Sequence, residues 1–205
     1  MPKKKKGKKK EKKLIMTKPD SFDSSDNRSK LRGRQLENYK KSLVLTDFQK
    51  DVIIGTLLGD SSMSIRSGKP HYSIKFEQGE MHKEYIFHLY EIFKAYVGSP
   101  PTYRYIDKAQ TRKAWWFRTY RHEHFAFYYH LFYHTTQNGK KIKIVPENIK
   151  EFLTPVAVAY WFMDDGTFTH KRNAKEIYYL FSTHGFFHIK KYFIFLYERN
   201  SHLGL

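Results

Sequence analysis

The chain has 205 residues, which allows one compact domain or two small similar halves with an adequate core. It contains no cysteine, so disulfide frameworks, thiolate zinc sites and cysteine nucleophiles are excluded. Its formal net charge of +18 indicates a polyanionic partner.

The N-terminal 41 residues carry most of this charge. They hold 16 Lys or Arg against 5 Asp or Glu. A block of like charges with little apolar surface is predicted to be disordered, so we expect the folded body to begin near Ser42. The tail is interpreted as a nucleic-acid arm, a nuclear-targeting signal or a solvated extension without a dedicated role. No signal peptide or membrane-spanning stretch is recognisable, and we expect no membrane association.

The body is predicted to start with a helix and a strand pair. Leu43–Asp60 contains Thr46 followed three residues later by Gln49, which is a capping-box pattern. The alternating segment that follows predicts two strands around a Ser-Gly-Lys-Pro turn. Residues 79–98 have apolar side chains at helical spacing, which predicts an amphipathic helix.

Aromatic segments dominate the middle of the chain. TYRYID and KAWWFRTYR alternate in the manner of a second strand pair, and His124–His134 is predicted to be a helix. A loop and a short helix then lead to the segment PVAVAYWFMDDG. Thr154 and Pro155 are typical of an N-cap and a first helical residue. Because this helix is apolar on all sides, we expect it to be buried.

Two acids, Asp164 and Asp165, end that apolar helix. The helix dipole is already negative there, so the acids cost stability unless a positive group compensates. The first helix ends in Asp60, which lies 105 residues before Asp165. A strand pair and another helix are predicted after each of these two acids, which indicates an internal duplication. We divide the chain into a tail at 1–41, a first repeat at 42–150 and a second, truncated repeat at 151–205.

Small residues occur within both repeat-opening helices. They would let the two helices pack side by side, so that Asp60 and Asp165 converge. Paired carboxylates bind hard divalent cations such as Mg²⁺, which can hold a scissile phosphate and activate water. The small residues in question are Gly55, Gly59, Ala157 and Ala159.

These features resemble those of the two-motif LAGLIDADG homing endonucleases of organellar introns. The resemblance covers roughly Leu43 to Arg199 and is carried by IIGTLLGDS, VAYWFMDDG and the segment KIVPENIKEFLTP before the second motif. The first motif ends in Ser61 rather than Gly, and the second has Met163 where the family name has Asp. The resemblance implies an α+β fold. In this fold a pseudo-twofold tandem repeat of αββαββα units would place two antiparallel sheets as a DNA-binding saddle, and we expect the second repeat here to be incomplete.

The resemblance also implies a role for particular residues. Asp60 and Asp165 match the metal-binding catalytic acids, and Gly59 and Gly166 hold the helix ends. Lys143 matches a basic residue that positions or polarises the hydrolytic water. The implied cofactor is Mg²⁺, with Asp60, Asp165, Gly59 and Asp164 as candidate ligands. Asp164 is interpreted as a neighbour of the metal rather than a direct ligand, because Asp60 has no second acid beside it.

The strands supply the candidate DNA-contacting residues, because a major groove admits a β-ribbon. Their Arg and Lys side chains can read guanine or grip phosphates, and their Ser and Tyr side chains can do either. The set comprises Ser62, Ser64, Arg66, Lys69, His71, Ser73 and Lys75 in the first strand pair, and Tyr103, Arg104, Arg118 and Arg121 in the second.

The function implied is cleavage of both strands of a long double-stranded DNA site by a monomer. Two alternatives remain open, an RNA-binding intron maturase and an inactive, degenerate copy. The two acids favour the nuclease, since a maturase needs only the basic surface. An organellar location, chloroplast or mitochondrion, agrees with the many residues that have A/T-rich codons, including 16 Tyr and 17 Phe.

Overall fold

The computed structural model describes residues 30–66, 71–170 and 177–181, with the side chains of 168–170 and 177–180 not included. The predictions for 1–29, the turn at 67–70 and the last helix within 182–205 lie outside the described residues. The helices are α1 (Gly33–Lys41), α2 (Asp47–Leu58), α3 (Lys83–Phe93), α4 (Ala126–Phe132) and α5 (Pro155–Asp165). The strands are β1 (Ser62–Ile65), β2 (Tyr72–Gly79), β3 (Thr102–Tyr105), β4 (Lys113–Arg118), β5 (Tyr133–Thr135), β6 (Lys141–Lys143), β7 (Gly166–His170) and β8 (Ile177–Phe181).

Helix α1 lies in the segment that the charge pattern predicts to be disordered. The Tyr39 hydroxyl donates a hydrogen bond to the Ala95 carbonyl at 2.8 Å. Lys40 is buried, and its carbonyl oxygen lies 2.7 Å from Nε2 of His122. The prediction is therefore wrong for residues 33–41. A count of charges misses the apolar stem of a lysine and the ring of a tyrosine, both of which pack against the body.

A four-stranded antiparallel sheet forms the centre of the structure, in the order β1-β2-β4-β3. Phe76 of β2 stacks against Phe117 of β4, with ring centroids 4.8 Å apart. On the same face, Phe76 packs against Phe93 of α3 at 5.1 Å. This aromatic contact binds the sheet to α3. The pairing of β1 with β2 and of β3 with β4 confirms both predicted strand pairs of the first repeat.

Helix α2 begins with the predicted capping box. The Thr46 side chain accepts a hydrogen bond from the Gln49 backbone, and the Gln49 side chain accepts one from the Thr46 backbone, both at 3.1 Å. Every residue from Val52 to Leu58 is buried. Helices α5 and α4 pack against α2, and Gln49 Nε2 donates a hydrogen bond to the Ile92 carbonyl of α3 at 2.7 Å, so the apolar segment is enclosed as expected.

Helices α2 and α5 pack against each other at very close range. A Cβ atom added to Gly55 would lie 2.3 Å from the carbonyl oxygen of Ala157. The predicted close approach is therefore present. Ala159, however, is exposed and takes no part in it, and Met163 is 47% exposed. The prediction that α5 is buried on all sides is wrong, because α2 covers one side of it and its other side faces solvent.

The helix predicted over His124–His134 is shorter than expected. A 3-10 turn precedes α4, and the chain becomes extended at Tyr133, where β5 pairs with β6. In this pairing Tyr133 lies opposite Lys143. The hairpin was not predicted from the sequence, and it is the element that carries Lys143 towards the ends of α2 and α5.

The second repeat-opening helix is followed by an antiparallel pair, β7 and β8, in which Gly166 lies opposite Phe181. The Phe181 ring packs on Trp161 of α5 at 4.4 Å. The order of helix and two strands is the same as that of α2, β1 and β2. In the part of the chain that the structure describes, no helix is long and apolar enough to cross a membrane.

We expect Gly55→Ala to destabilise the protein. The added methyl would clash with backbone of α5, and overpacking of this kind costs about 1–3 kcal/mol, more than the helix propensity that alanine gains. Gly79→Ala is the control, because a Cβ there meets nothing within 4 Å. Urea unfolding should show a clear loss for Gly55→Ala and a change within about 0.5 kcal/mol for the control. Equal midpoints for both variants would contradict the close helix contact.

Candidate active site

The C-terminal ends of α2 and α5 meet at Gly59 and Asp164. A Cβ on Gly59 would lie 2.3 Å from the Cβ of Asp164 and 2.4 Å from its Oδ2. Only glycine therefore leaves room for the Asp164 side chain. Oδ2 of Asp164 accepts a hydrogen bond from the backbone N–H of Asp60 at 3.1 Å. The two repeat-opening helices thus bring their terminal acids together.

Gln78 joins two of these acids and was missed by the sequence analysis. Its Nε2 donates to Oδ2 of Asp60 at 2.8 Å and to Oδ1 of Asp164 at 3.1 Å. The alternation of apolar side chains along β2 could have indicated the role of Gln78. Tyr72, Ile74 and Phe76 place Gln78 on the apolar face of β2, where a partly buried amide needs hydrogen-bond partners.

The pKa values of Asp164 and Asp165 are raised above the ordinary value for an aspartate. Burial raises the pKa of Asp164 to about 7, although the hydrogen bond from the Asp60 backbone opposes this change. Burial, followed by repulsion from Asp60, raises the pKa of Asp165 to about 6, and Lys143 partly offsets the effect. The site therefore holds more negative charge than its own residues neutralise.

Lys143 approaches the acids from the β5–β6 hairpin. Its Nζ donates hydrogen bonds to the carbonyl oxygens of Gly59 at 2.7 Å and Ser61 at 2.9 Å, on either side of Asp60. Burial lowers the pKa of Lys143 to about 8, while the neighbouring acids act in the opposite direction. The hairpin itself is attached to the strand after Asp60, because the Tyr133 hydroxyl accepts a hydrogen bond from the Met63 backbone at 2.8 Å.

The donors around Asp60 and Asp165 suit a hard divalent cation, because they are carboxylate and carbonyl oxygens with uncompensated charge. Within the described ranges, no group of three or more His, Cys, Asp or Glu side chains is arranged to hold a metal ion. Asp164 fits a ligand role less well, since both of its oxygens already accept hydrogen bonds.

The predicted DNA-contacting residues do not all share one face of the sheet. Register places Ser62 beside Lys75 and Lys75 beside Arg118, with Ser64 and Arg104 on the same outer face. Tyr103 points to the opposite face, because neighbouring residues in a strand alternate, and its ring packs on Trp115. For Tyr103 the prediction of a shared face is wrong.

Several other members of the set differ in their exposure. Ser73 lies on the outer face but is buried, with its hydroxyl 3.0 Å from that of Ser64, so the prediction of a solvent-facing side chain is wrong for it. Arg66 and Arg118 are exposed, whereas His71 and Arg121 are partly buried. Lys69 lies outside the described residues.

Comparison with known protein families shows which family has this sequence and fold. The model of the LAGLIDADG DNA endonuclease family matches residues 50–203. The chain belongs to this family. The match spans α2, α5 and both motifs that end in Asp60 and Asp165.

Individual relatives named as endonucleases agree with the family match. The DNA endonuclease I-ChuI of Chlamydomonas applanata is 36% identical over 141 residues, which are 65% of this chain and 65% of that protein. A probable intron-encoded endonuclease 1 of Wickerhamomyces canadensis is 34% identical over 177 residues, 85% of this chain and 73% of the relative. The chain therefore spans just under two thirds of the first relative and about three quarters of the second.

The fold is similar to that of a solved homing endonuclease structure. The homing endonuclease I-WcaI bound to its DNA recognition sequence matches with a TM-score of 0.61 and 29% identity. The match covers 84% of this chain and 70% of the I-WcaI chain. The mixed α and β architecture with antiparallel sheets is thereby confirmed.

The perturbed acids lead to a test of stability. The folded-state pKa of Asp165 is raised from 3.8 to about 6. The protein is therefore less stable when this carboxyl is ionised, and its stability falls as the pH rises from 3.8 through 6. Asp165→Asn should therefore raise the Tm at pH 8, and the gain should vanish as the pH falls below 3.8. Millimolar Mg²⁺ should raise the Tm of the wild type more than that of Asp165→Asn.

Asp47→Asn is the matched control for thermal unfolding by circular dichroism. Asp47 lies at the other end of α2, and its pKa is lowered by the hydrogen bond from Lys50. Its substitution should therefore not stabilise the protein at pH 8. A wild type that Mg²⁺ does not stabilise would count against a cation at the paired acids.

Proposed function

We propose that the chain is a sequence-specific endonuclease that hydrolyses both strands of double-stranded DNA with Mg²⁺ as its cofactor. The observation that supports this most directly is the meeting of acids from two helices that pack at backbone contact. The acids lie beside a sheet whose outer face carries basic and hydroxyl side chains. This combination suits phosphodiester hydrolysis at a fixed position within a bound duplex.

Asp60 and Asp165 are the residues that would hold the cation, with the Gly59 carbonyl nearby. A bound Mg²⁺ supplies charge stabilisation at the scissile phosphate and a more acidic water. Gln78 fixes the orientation of the Asp60 carboxylate through its hydrogen bond. Asp164 fixes the backbone at Asp60 and acts as a positioning residue.

Lys143 has a separate role in this proposal. Two carbonyl oxygens hold its ammonium beside the acids, so it would be fixed at the edge of a phosphate bound there without depending on a flexible surface rotamer. A pKa of about 8 allows Lys143 to give or take a proton near neutral pH. We assign it to orienting the attacking water and to offsetting charge that develops on the phosphate.

The DNA contact follows from the shape and charge of the sheet. A twisted antiparallel sheet fits a major groove, and side chains on its outer face reach base edges. The proposed active form is a monomer, because one chain supplies both helix ends of the site. An organellar location is proposed from the residue composition and from the intron-encoded relative.

A second function, binding of intron RNA, would use the same basic surface and would not need the acids. The cost of holding Asp60, Asp164 and Asp165 together favours DNA cleavage, because RNA binding alone offers no reason for uncompensated carboxylates beside a polyanion. The nuclease is therefore the function that we place first.

The test is cleavage of a randomised double-stranded DNA library with Mg²⁺, followed by sequencing of the cut ends. The wild type should produce cuts at related sites. Asp60→Asn should reduce the cleavage rate by about 10³-fold, since metal-held charge stabilisation contributes several kcal/mol. Binding of the selected DNA should persist, because the phosphate and base contacts come from the sheet.

Asp47→Asn again serves as the control. It removes the same charge from the opposite end of α2 and should cut at the wild-type rate. Cleavage by Asp60→Asn at that rate would exclude Asp60 from the reaction. If the wild-type protein binds DNA without cutting it, the proposed DNA binding would stand and the proposed nuclease activity would be rejected.

A further inference from the structure

An acid occupies the outer face of the sheet among the basic residues. Glu77 of β2 lies opposite Trp116 of β4, on the face that also carries Lys75 and Arg104. Its carboxylate accepts hydrogen bonds from Arg104 Nη2 at 2.6 Å and Arg104 Nε at 3.1 Å. It also forms an ion pair with Lys75. We call these three residues the Lys75–Glu77–Arg104 network.

The network changes the interpretation of two predicted DNA contacts. Lys75 and Arg104 are not isolated cations that would grip the nearest phosphate, because each is oriented by Glu77. The hydrogen bond from Arg104 holds the pKa of Glu77 below its usual range, so the carboxylate stays ionised. Lys75 is further restrained by the ring of Trp116, whose centroid lies 5.7 Å from Nζ.

The position of Glu77 links the network to the paired acids. An open cleft of about 340 Å³ is lined by Asp60 and Gln78 at one side and by Lys75 and Glu77 at another. Gln78, which holds Asp60, is the next residue in β2 and points to the other face. A duplex seated on the sheet with a phosphate at Asp60 would bring base edges close to this network.

An acid in this position has a cost that a purely structural role does not explain. Partly exposed ion pairs contribute little to stability, and the side chains of Arg104 and Glu77 are 52% and 24% exposed. A carboxylate also repels DNA phosphates. The groups on DNA that favour a carboxylate are base amino groups, and in the major groove the N4 amino group of cytosine is the donor that Glu recognises.

We infer that Glu77 is a specificity-determining residue, and that the Lys75–Glu77–Arg104 network recognises a G·C base pair. Lys75 or Arg104 donates to O6 and N7 of guanine, and Glu77 accepts from N4 of the paired cytosine. This inference rests on the proposed DNA-binding function and adds to it the base pair that is read. Glu77 also orients Arg104, whose planar fork would otherwise be free to contact phosphate.

The experiment is a binding selection from a random double-stranded DNA library, with the full chain and Ca²⁺ in place of Mg²⁺, followed by sequencing. The wild type should enrich sites in which one position is G·C. Glu77→Gln, which keeps the shape but replaces one acceptor oxygen by a donor, should lower that preference by about tenfold and leave the other positions unchanged. The matched control is Glu91→Gln on α3, which makes the same charge change beside Lys94, away from the sheet face.

The outcomes separate this inference from the proposed function. Loss of preference at one or two adjacent positions in Glu77→Gln, with wild-type preferences in Glu91→Gln, supports the inference. If both variants bind all DNA sequences more tightly and by the same factor, the inference is overturned, because Glu77 would then act only through net charge. If the wild type enriches no DNA sequence, the proposed function and the inference are both overturned.

A second variant protects the test against misfolding of Glu77→Gln. Arg104→Lys keeps the charge of an exposed residue but loses the two-pronged donor that Glu77 accepts. It should weaken the preference at the same base pair. A preference that changes at an unrelated position, or nowhere, counts against the network as the reader of that pair.

Discussion

The backbone contact between α2 and α5 is the constraint on which the rest of the structure depends. At Gly55 and Gly59 there is no space for a Cβ, so the two helices approach as closely as their main chains permit. This closeness brings the two helix ends together. It also helps to remove α2 from water, and with α4 packed against the same helix no residue over Val52–Leu58 faces solvent. Core packing and the candidate active site therefore have a common origin.

The same contact concentrates negative charge. The negative ends of two helix dipoles and three carboxylates lie close together. Hydrogen bonds stabilise this negative charge, but positive side chains do not fully neutralise it. Gln78 and the Asp60 backbone satisfy Asp164, while Lys143 is held by carbonyls beside the acids. The arrangement is costly for the folded protein alone; under the proposed function, a divalent cation and a substrate phosphate would offset that cost, as expected where stability is given up for catalysis.

On the sheet, charge is organised at a finer scale than the net charge indicates. The chain is strongly basic, yet its central strand places Glu77 between Lys75 and Arg104. Non-specific attraction to DNA needs only positive charge, whereas discrimination between base pairs needs donors and acceptors at fixed positions. The outer face of the sheet carries both kinds of group, and β2 pairs with the strand that follows Asp60, so the proposed base contacts would lie at a fixed distance from the proposed site of cleavage.

The sequence by itself determined the two strand pairs of the first repeat, the capping box at Thr46 and the close pairing of the two motif helices, and it predicts Asp60 and Asp165 as metal-binding acids. These features depend on local periodicity and on short motifs, which are readable along the chain. Only the tertiary structure decided that α1 packs on the body, that β5 and β6 deliver Lys143, that Gln78 bridges two acids, and that Glu77 restrains two cations. Each of those depends on residues far apart in sequence, on strand register and on burial, and none of these is fixed by the order of amino acids within a single element.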